Sequence, residues 1–308
     1  MTRIMVTGAC GLLGLNLALQ AAEQHTVIGV DRLDMLNIDS FEMQKVDLLA
    51  SGAVAHVLDD VQPDWVIHCA ALADVDACED QLELAQQLNA DLPGILAKET
   101  ARRGLHMVHL STDAVFDGVR GNYRETDDPN PLNIYARTKL LGEQAVLDND
   151  INAIVARVNF YGWSRTGNRS LAEFFFNNLK AGNPINGFRD IFFCPLLAND
   201  LAEILLKMLA AGLHGLYHVV SPEQLSKYQF GVQLAEMFSF DPALITPISV
   251  QQSRLSASRS PKLTLNTDKL TQALGHSAPD IQSGLERFFQ LFTAGYPENL
   301  KKLIIEGS

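Results

Sequence analysis

A doubly wound α/β fold, a parallel sheet with helices on both faces, is the class this sequence predicts. Three observations predict it. Short β-branched runs alternate with helical stretches through the first 158 residues. The strand-like runs are apolar along their length, as strands buried on both faces must be. The first of them leads directly into a glycine-rich turn that opens a helix. Beyond residue 158 the rhythm loosens. A smaller, mixed α/β domain is expected over 159–308, interleaved with the first (1–158) because the chain returns to the sheet around 190–220.

In chain order, Arg3–Thr7 (RIMVT) reads as the first strand and GLLGLNLALQAAE as the first helix. His25–Asp31 (HTVIGVD) is the second strand. A helix around Ser51–Val61 precedes the third strand, Asp64–Ala70 (DWVIHCA). The stretch from about Glu79 to Arg103 reads as one long helix bent at Pro93, whose missing N–H breaks the ladder. Leu105–Ser111 (LHMVHLS) is the fourth strand. A helix carrying Tyr135 and Lys139 follows a proline- and aspartate-rich loop, and Ile151–Val158 (INAIVARV) is the next strand. In the second half, Arg169–Gly182 and Ala198–Gly212 read as helices stopped by glycine. GLYHVVS reads as a further strand, and Ser226–Phe238 as a helix with a capping serine.

The 308 residues are 47% hydrophobic, enough for a substantial core. Lysine and arginine number 24 against 36 acids, a formal charge of −12, which argues against nucleic acid or an anionic membrane as partner. An anionic ligand must then be held locally, by backbone amides and a few placed cations. Cys10, Cys69, Cys78 and Cys194 form no CxxC pair and no zinc-spaced cluster, so no metal site is expected and free thiols in a cytoplasmic protein are the plain reading. No apolar run is long enough to span a bilayer, and the start lacks the pattern of a signal peptide.

Three local signals carry chemistry. The first is VTGACGLLG. Glycines at 8, 11 and 14 permit a tight turn, close approach of a pyrophosphate and close helix packing, and the helix start offers free amides to phosphate. Gly8, Cys10, Gly11, Leu12, Leu13 and Gly14 are therefore expected at a dinucleotide, on a Rossmann-type sheet. The second is Asp31 at the end of strand two, placed to accept ribose hydroxyls and so favouring NAD. Arg32 beside it can face a 2′-phosphate, which keeps NADP open. Asp47 and Leu48, in VDLL, are expected over the adenine. The third is Ser111 and Thr112 at the end of strand four, together with Tyr135 and Lys139 four residues apart on one helix face. All would meet at the carboxyl edge of the sheet, where open α/β sheets bind ligands.

Together these segments resemble the extended, nucleotide-sugar-modifying branch of the short-chain dehydrogenase/reductases, with its TGxxGxxG loop and YxxxK pair. Within that branch the chain is similar to the dTDP-4-dehydrorhamnose reductase group. TGACGLLG, DWVIHCAALADVDACE, LSTDAVFDG, YRETDDPNPLNIYARTKLLGE, DLAEIL, LYHVVSPEQLSKYQF and LNTDKL carry the likeness in order along nearly the whole chain. The resemblance implies an NAD(P)H-dependent reductase of a nucleotide-linked 4-keto-6-deoxysugar. It makes Thr112 the hydroxyl residue, Tyr135 the proton donor and Lys139 the partner that grips the nicotinamide ribose and lowers the tyrosine pKa from about 10 toward ~7. It places Cys69, Ala70 and Ala71 along the cofactor, Asn89 at the cofactor near the lysine, Asn159 over nicotinamide and substrate, and Arg259 at the substrate diphosphate, for which Arg189 is a second cation the sequence offers. A homodimer through the sheet-flanking helices is the assembly it offers. Ala114, the absence of the group's tryptophan near RVNFYG (Trp163 lies close by) and GFRDIFFCP depart from the group's pattern around the sugar. Two alternatives remain: an NAD-dependent nucleotide-sugar epimerase or dehydratase, and a non-catalytic NADP-binding regulatory subunit.

Overall fold

The computed structural model describes residues 1–33, 38–252 and 260–303. Seven parallel strands form the main sheet: β1 (Arg3–Thr7), β2 (Thr26–Asp31), β3 (Glu42–Lys45), β4 (Trp65–His68), β5 (His106–Thr112), β6 (Ile154–Val158) and, far along the chain, β11 (Gly215–Val219). Their spatial order is β11-β6-β5-β4-β1-β2-β3. Strand order reverses between β1 and β4, so the loops leaving those two strands frame the crevice where such sheets take ligands.

Helix α1 (Leu12–Ala21) covers one face together with α8 (Ala198–Ala210), which packs on it. On the other face lie α2 (Ala53–Val61), α5 (Leu92–Arg103) and α6 (Ile134–Asn149). Between β4 and α5 stand α3 (Val75–Asp80) and α4 (Leu82–Gln86). The remaining elements are β7 (Phe160–Tyr161), α7 (Leu171–Lys180), β8 (Ile185–Phe188), β9 (Phe192–Phe193), β10 (Leu196–Leu197), β12 (Leu225–Ser226), α9 (Lys227–Met237), β13 (Ile245–Ile248), β14 (Lys262–Leu263), α10 (Asp268–Leu274), α11 (Ile281–Thr293) and α12 (Tyr296–Lys302). They make three small sheets, β10-β7, β12-β9-β14 and β13-β8.

Two expectations about elements change and a third holds. Glu42–Lys45 is an unforeseen edge strand; EMQK is polar because an edge strand needs no continuous apolar run, and its exposure pattern matches that place. The predicted helix over 79–103 is broken into α3, α4, a π-helical turn at Gln87–Asp91 and α5. The irregularity thus precedes Pro93: proline supplies no N–H to the Asn89 carbonyl, and the wider turn lies just ahead of it. GLYHVVS is a strand as read, and it pairs in parallel with β6 at the edge of the main sheet.

Trp163, flagged as a neighbour of the sugar, belongs to the core instead. It is 3% exposed, stacks on Phe288 with centroids 4.0 Å apart, and gives its Nε1–H to the Phe288 carbonyl.

Candidate active site

The turn between β1 and α1 is built by its glycines. Gly8 takes φ +66°, and a Cβ there would lie 2.7 Å from the Ala70 amide nitrogen, so the loop after β1 rests directly on the loop after β4. At Gly14 a Cβ would lie 2.2 Å from the Gly8 carbonyl oxygen, which fixes how closely α1 approaches the turn. Gly11 caps α1 without any side-chain acceptor and is exposed. The amides that begin α1, those of Leu12 and Leu13, have no intrahelical acceptor. The Leu13 side chain is buried in the core, so only its backbone can meet a ligand.

One cleft is lined by Gly8, Cys10, Gly11, Asp31, Arg32, Asp47, Leu48, Cys69, Ala70 and Ala71, while Leu12, Leu13 and Gly14 are not in its lining. Asp31 also ties the cleft together, since its carboxylate accepts the Cys10 amide at 2.9 Å and the Leu33 amide at 3.1 Å. Burial and the Asp31 charge push the Cys10 thiol up to about 12, so it stays a neutral filler of the loop. A bare, glycine-walled helix start with an acid at the end of β2 fits a dinucleotide: a Cβ would fill the turn, and no side chain caps the first-turn amides.

Thr112 ends β5 and Tyr135 lies in the first turn of α6, a helix capped by the Asn133 side chain. The Thr112 hydroxyl lies near enough to ease the Tyr135 phenol's pKa, and its oxygen accepts the Ala114 amide at 3.1 Å. Asp113 sits against them, 3% exposed, receiving Thr112 Oγ1–H at 3.2 Å and Asn159 Nδ2–H at 2.6 Å. Burial raises the Asp113 carboxyl to about 6, against the pull of Asn159, Thr112 and the Lys227 charge. Sequence reasoning treated Asp113 as part of a hydroxyl-rich turn and passed over Lys227, because neither belongs to a spaced pattern. Only the fold brings β5, β6 and α9 together.

Lys139 is almost wholly buried. Its ammonium donates to the Leu110 carbonyl at 2.5 Å, and desolvation lowers its pKa to about 8. The Lys139 and Cys69 side chains act on one another electrostatically, which links the α6 face to the cleft wall. The expected lysine-driven drop in the tyrosine pKa is not what the protein alone produces. Burial pushes the Tyr135 phenol up to about 12, the Thr112 hydroxyl eases it, and Asp113 and Cys78 add to it. The lysine is committed to β5 rather than to the phenol.

Behind the site the sheet carries a polar row where apolar residues were expected. His68 and His109 face each other in register and stack with centroids 5.4 Å apart. Thr7 Oγ1 meets His68 Nδ1 at 2.7 Å. Desolvation first, then the Lys139 charge, lower His68 to about 3 and His109 well below its usual range. Next along, the buried Arg157–Glu143 pair closes at 2.7 Å and Ser111 donates its hydroxyl to Glu143. Ser111 therefore belongs to this buried network.

Asn89 is fully buried and fully engaged. It accepts the Leu72 amide at 2.9 Å, donates to the Leu72 carbonyl at 3.0 Å and reaches Thr138 Oγ1 at 3.2 Å. It fastens the loop after β4 to α6 and has no exposed atom for a ligand, which corrects its expected place at the cofactor. Arg189 follows β8 and is exposed, beside a groove lined by Phe174, Phe175, Gly187, Phe188, Lys227 and Ile248. Arg259 lies outside the described residues. Two further cations missed by sequence reasoning, Arg165 and Arg169, lie at the first cleft: Arg165 Nε–H meets the Cys10 carbonyl at 3.2 Å and Arg169 lines the wall. Among the described residues no group of three or more His, Cys, Asp or Glu could hold a metal ion, and no helix is long and apolar enough to cross a membrane.

With this geometry in place, comparison with known families is decisive. The RmlD substrate binding domain matches residues 1–294. The chain belongs to that family, within the extended short-chain dehydrogenase/reductases. It is 34% identical over 285 residues to a probable low-salt glycan biosynthesis reductase of Haloferax volcanii, covering 91% of this chain and 95% of the relative. It is also 34% identical over 290 residues to methionine adenosyltransferase 2 subunit beta of Pongo abelii, covering 90% and 84%. Among solved structures, the dTDP-4-dehydrorhamnose reductase of Bacillus anthracis in complex with NADP aligns with a TM-score of 0.83 at 26% identity, covering 94% of this chain and 99% of that one. Within this RmlD-domain chain, then, the glycine turn, Thr112, Tyr135 and Lys139 stand at one parallel sheet.

Proposed function

We propose that this chain is an NAD(P)H-dependent reductase of a nucleotide-linked 4-keto-6-deoxysugar. The observation that carries the reading is the glycine-walled cleft suited to a dinucleotide at the carboxyl edge of the sheet, with Thr112 ending β5 and Tyr135 in the first turn of α6, near enough for the Thr112 hydroxyl to ease the phenol's pKa. Support comes from the likeness to a dTDP-4-dehydrorhamnose reductase crystallised with NADP and to a glycan biosynthesis reductase.

The turn at Gly8–Gly11 and the α1 amides would hold the pyrophosphate, Asp31 and Arg32 the adenosine ribose, and Asp47 with Leu48 the adenine side. Reduced nicotinamide supplies the hydride when bound. Tyr135 gives a proton to the ketone oxygen as negative charge develops there. A phenol held near 12 is fully protonated at neutral pH, the form a reduction needs. Thr112 turns its one hydroxyl hydrogen from Asp113 to donate to the same oxygen. Lys139 braces α6 against β5 through the Leu110 carbonyl and keeps two N–H donors for ribose hydroxyls. Asp113 and Asn159 set the wall facing the sugar, and the apolar groove with Lys227 and Arg189 is the surface available to the nucleotide.

The test is oxidation of NADH and NADPH with dTDP-4-keto-6-deoxyhexoses by the full chain and by Tyr135→Phe. Turnover in the wild type and its loss in the variant support the reading. Near-normal turnover in the variant would sink the assigned mechanism.

The likeness to methionine adenosyltransferase 2 subunit beta supports a second reading, a dinucleotide-binding subunit of a synthetase that reduces no sugar. A stoichiometric complex with such an enzyme, joined to silence across the ketosugar panel, would select it.

A further inference from the structure

The loop that joins β7 to α7 belongs to the second half of the chain, yet it reaches the glycine turn of the first. Arg165 and Arg169 are its two cations. Arg165 Nε–H donates to the Cys10 carbonyl at 3.2 Å, and Arg169 lines the cleft opposite Gly8, Gly11 and Asp31. Among the described residues neither guanidinium has a carboxylate in salt-bridge contact. In a chain of net charge −12, two arginines beside a bare helix start are an unusual local excess of positive charge.

The loop is held in this position by buried groups. Glu173 is fully buried and accepts the Ser164 amide at 2.7 Å, the Ser164 hydroxyl at 2.8 Å and the Arg169 amide at 2.8 Å. Asn16, on α1 itself, donates to the Trp163 carbonyl at 2.9 Å. The two arginines are therefore registered against α1, whose N-cap Gly11 lines the same cleft. An exposed arginine on a loose loop has no such register, so its placement would carry no meaning; here the backbone is fixed on both sides of the charges.

We propose that Arg169, backed by Arg165, is the second wall of the dinucleotide site and binds a phosphate of the cofactor, joining the two halves of the chain across it. The inference rests on reading this cleft as the NAD(P) site. A guanidinium and a phosphate match as a two-point, charge-assisted contact. Two phosphate groups share that chemistry, the diphosphate bridge and the 2′-phosphate of NADP.

Isothermal titration of the full chain with NADPH, NADH, 2′,5′-ADP and ADP separates them, with melting curves to confirm folding. Arg169→Ala should weaken nucleotide binding about tenfold or more, the usual scale for a charged contact. Arg165→Ala should weaken it less, and Arg169→Lys should recover part of the loss. A loss confined to NADPH and 2′,5′-ADP supports a contact on the 2′-phosphate. A loss shared by NADPH, NADH and ADP, and smaller for 2′,5′-ADP, which carries only a monophosphate at the 5′ position, supports one on the diphosphate. Affinities within twofold of wild type in both alanine variants would overturn the proposal. A wild-type chain that binds none of the four would instead overturn the cleft's assignment.

Discussion

Asn159 Nδ2 lies 2.6 Å from Asp113 Oδ2, and this contact joins the end of β5 to the segment after β6 directly beneath Tyr135. An ionised Asp113 holds Asn159 strongly; a protonated one holds it weakly. The carboxyl titrates near 6, so kcat/KM should show an acid limb with its midpoint there. Asp113→Asn keeps the shape and removes the charge. It should lack that limb and run about tenfold slower at pH 7.5, a rough cost for one charged contact. The stability sign is opposite. A carboxyl raised from 3.8 to about 6 costs stability once ionised, a loss that develops as pH rises from about 4 to 6. Above pH 6 the asparagine variant should be more stable by about 2–3 kcal/mol in urea unfolding. An unchanged acid limb in Asp113→Asn would refute the role.

Tyr135→Phe and Ser111→Ala separate chemistry from support. Loss of the proton donor should cut kcat by about a hundredfold or more while leaving nucleotide binding near normal. Ser111 donates to the buried Glu143 carboxylate that pairs with Arg157. Its removal should cost about 1–3 kcal/mol of stability through the lost charge-assisted hydrogen bond, while Arg157 Nε still serves the same Glu143 oxygen at 2.9 Å, with a small effect on kcat. A larger kcat loss for Ser111→Ala than for Tyr135→Phe would reverse the assignment.

The stacked histidines make the fold sensitive to acid. His68 falls from 6.5 to about 3 on burial, so the folded chain holds it neutral while the unfolded chain takes up a proton. Stability is retained above pH 6.5 and falls by about 1.4 kcal/mol per unit as pH drops toward 3. At pH 5 this residue alone should cost about 2 kcal/mol relative to pH 7. His109 acts in the same direction. In His109→Asn the difference between unfolding free energies at pH 7 and pH 5 should shrink. If it stays the same, the row does not control acid stability.

The fold class was legible because β1, β2, β4, β5 and β6 are short, mostly apolar runs separated by helices, the common pattern of strands buried on both faces, even though His68, His109 and Arg157 interrupt it. Glu42–Lys45 was illegible because an edge strand is specified by its neighbour, Thr26–Asp31, more than by its own side chains. The glycine turn could be read because Gly8 and Gly14 answer steric demands that no other residue meets. Asp113, Lys227, Arg165 and Arg169 could not, because each gains meaning only when distant segments converge. Asn89 shows the intermediate case. Its position near the lysine was foreseen, but its hydrogen bonds, all internal, depend on where the loop after β4 turns.

Gly142 offers the sharpest test of how α6 is set. Tyr135, Lys139 and Gly142 lie on one face of that helix, at i, i+4 and i+7. A Cβ at 142 would stand 2.1 Å from the Asn89 carbonyl oxygen and 3.4 Å from His109 Nε2. The first neighbour is backbone in the π-helical turn ahead of Pro93 and cannot rotate away. Elsewhere in a helix, alanine for glycine gains about 0.5–1 kcal/mol. Here the helix must lift off the turn by more than an ångström, and overpacking of that kind costs about 1–3 kcal/mol or more. Gly142→Ala should therefore lose stability in urea unfolding despite its better helix propensity. Because the lift carries Tyr135 and Lys139 away from β5, kcat should fall with it. A stabilised Gly142→Ala protein with normal kcat would mean that α6 is free to slide, and that the close approach at Asn89 does not position the tyrosine.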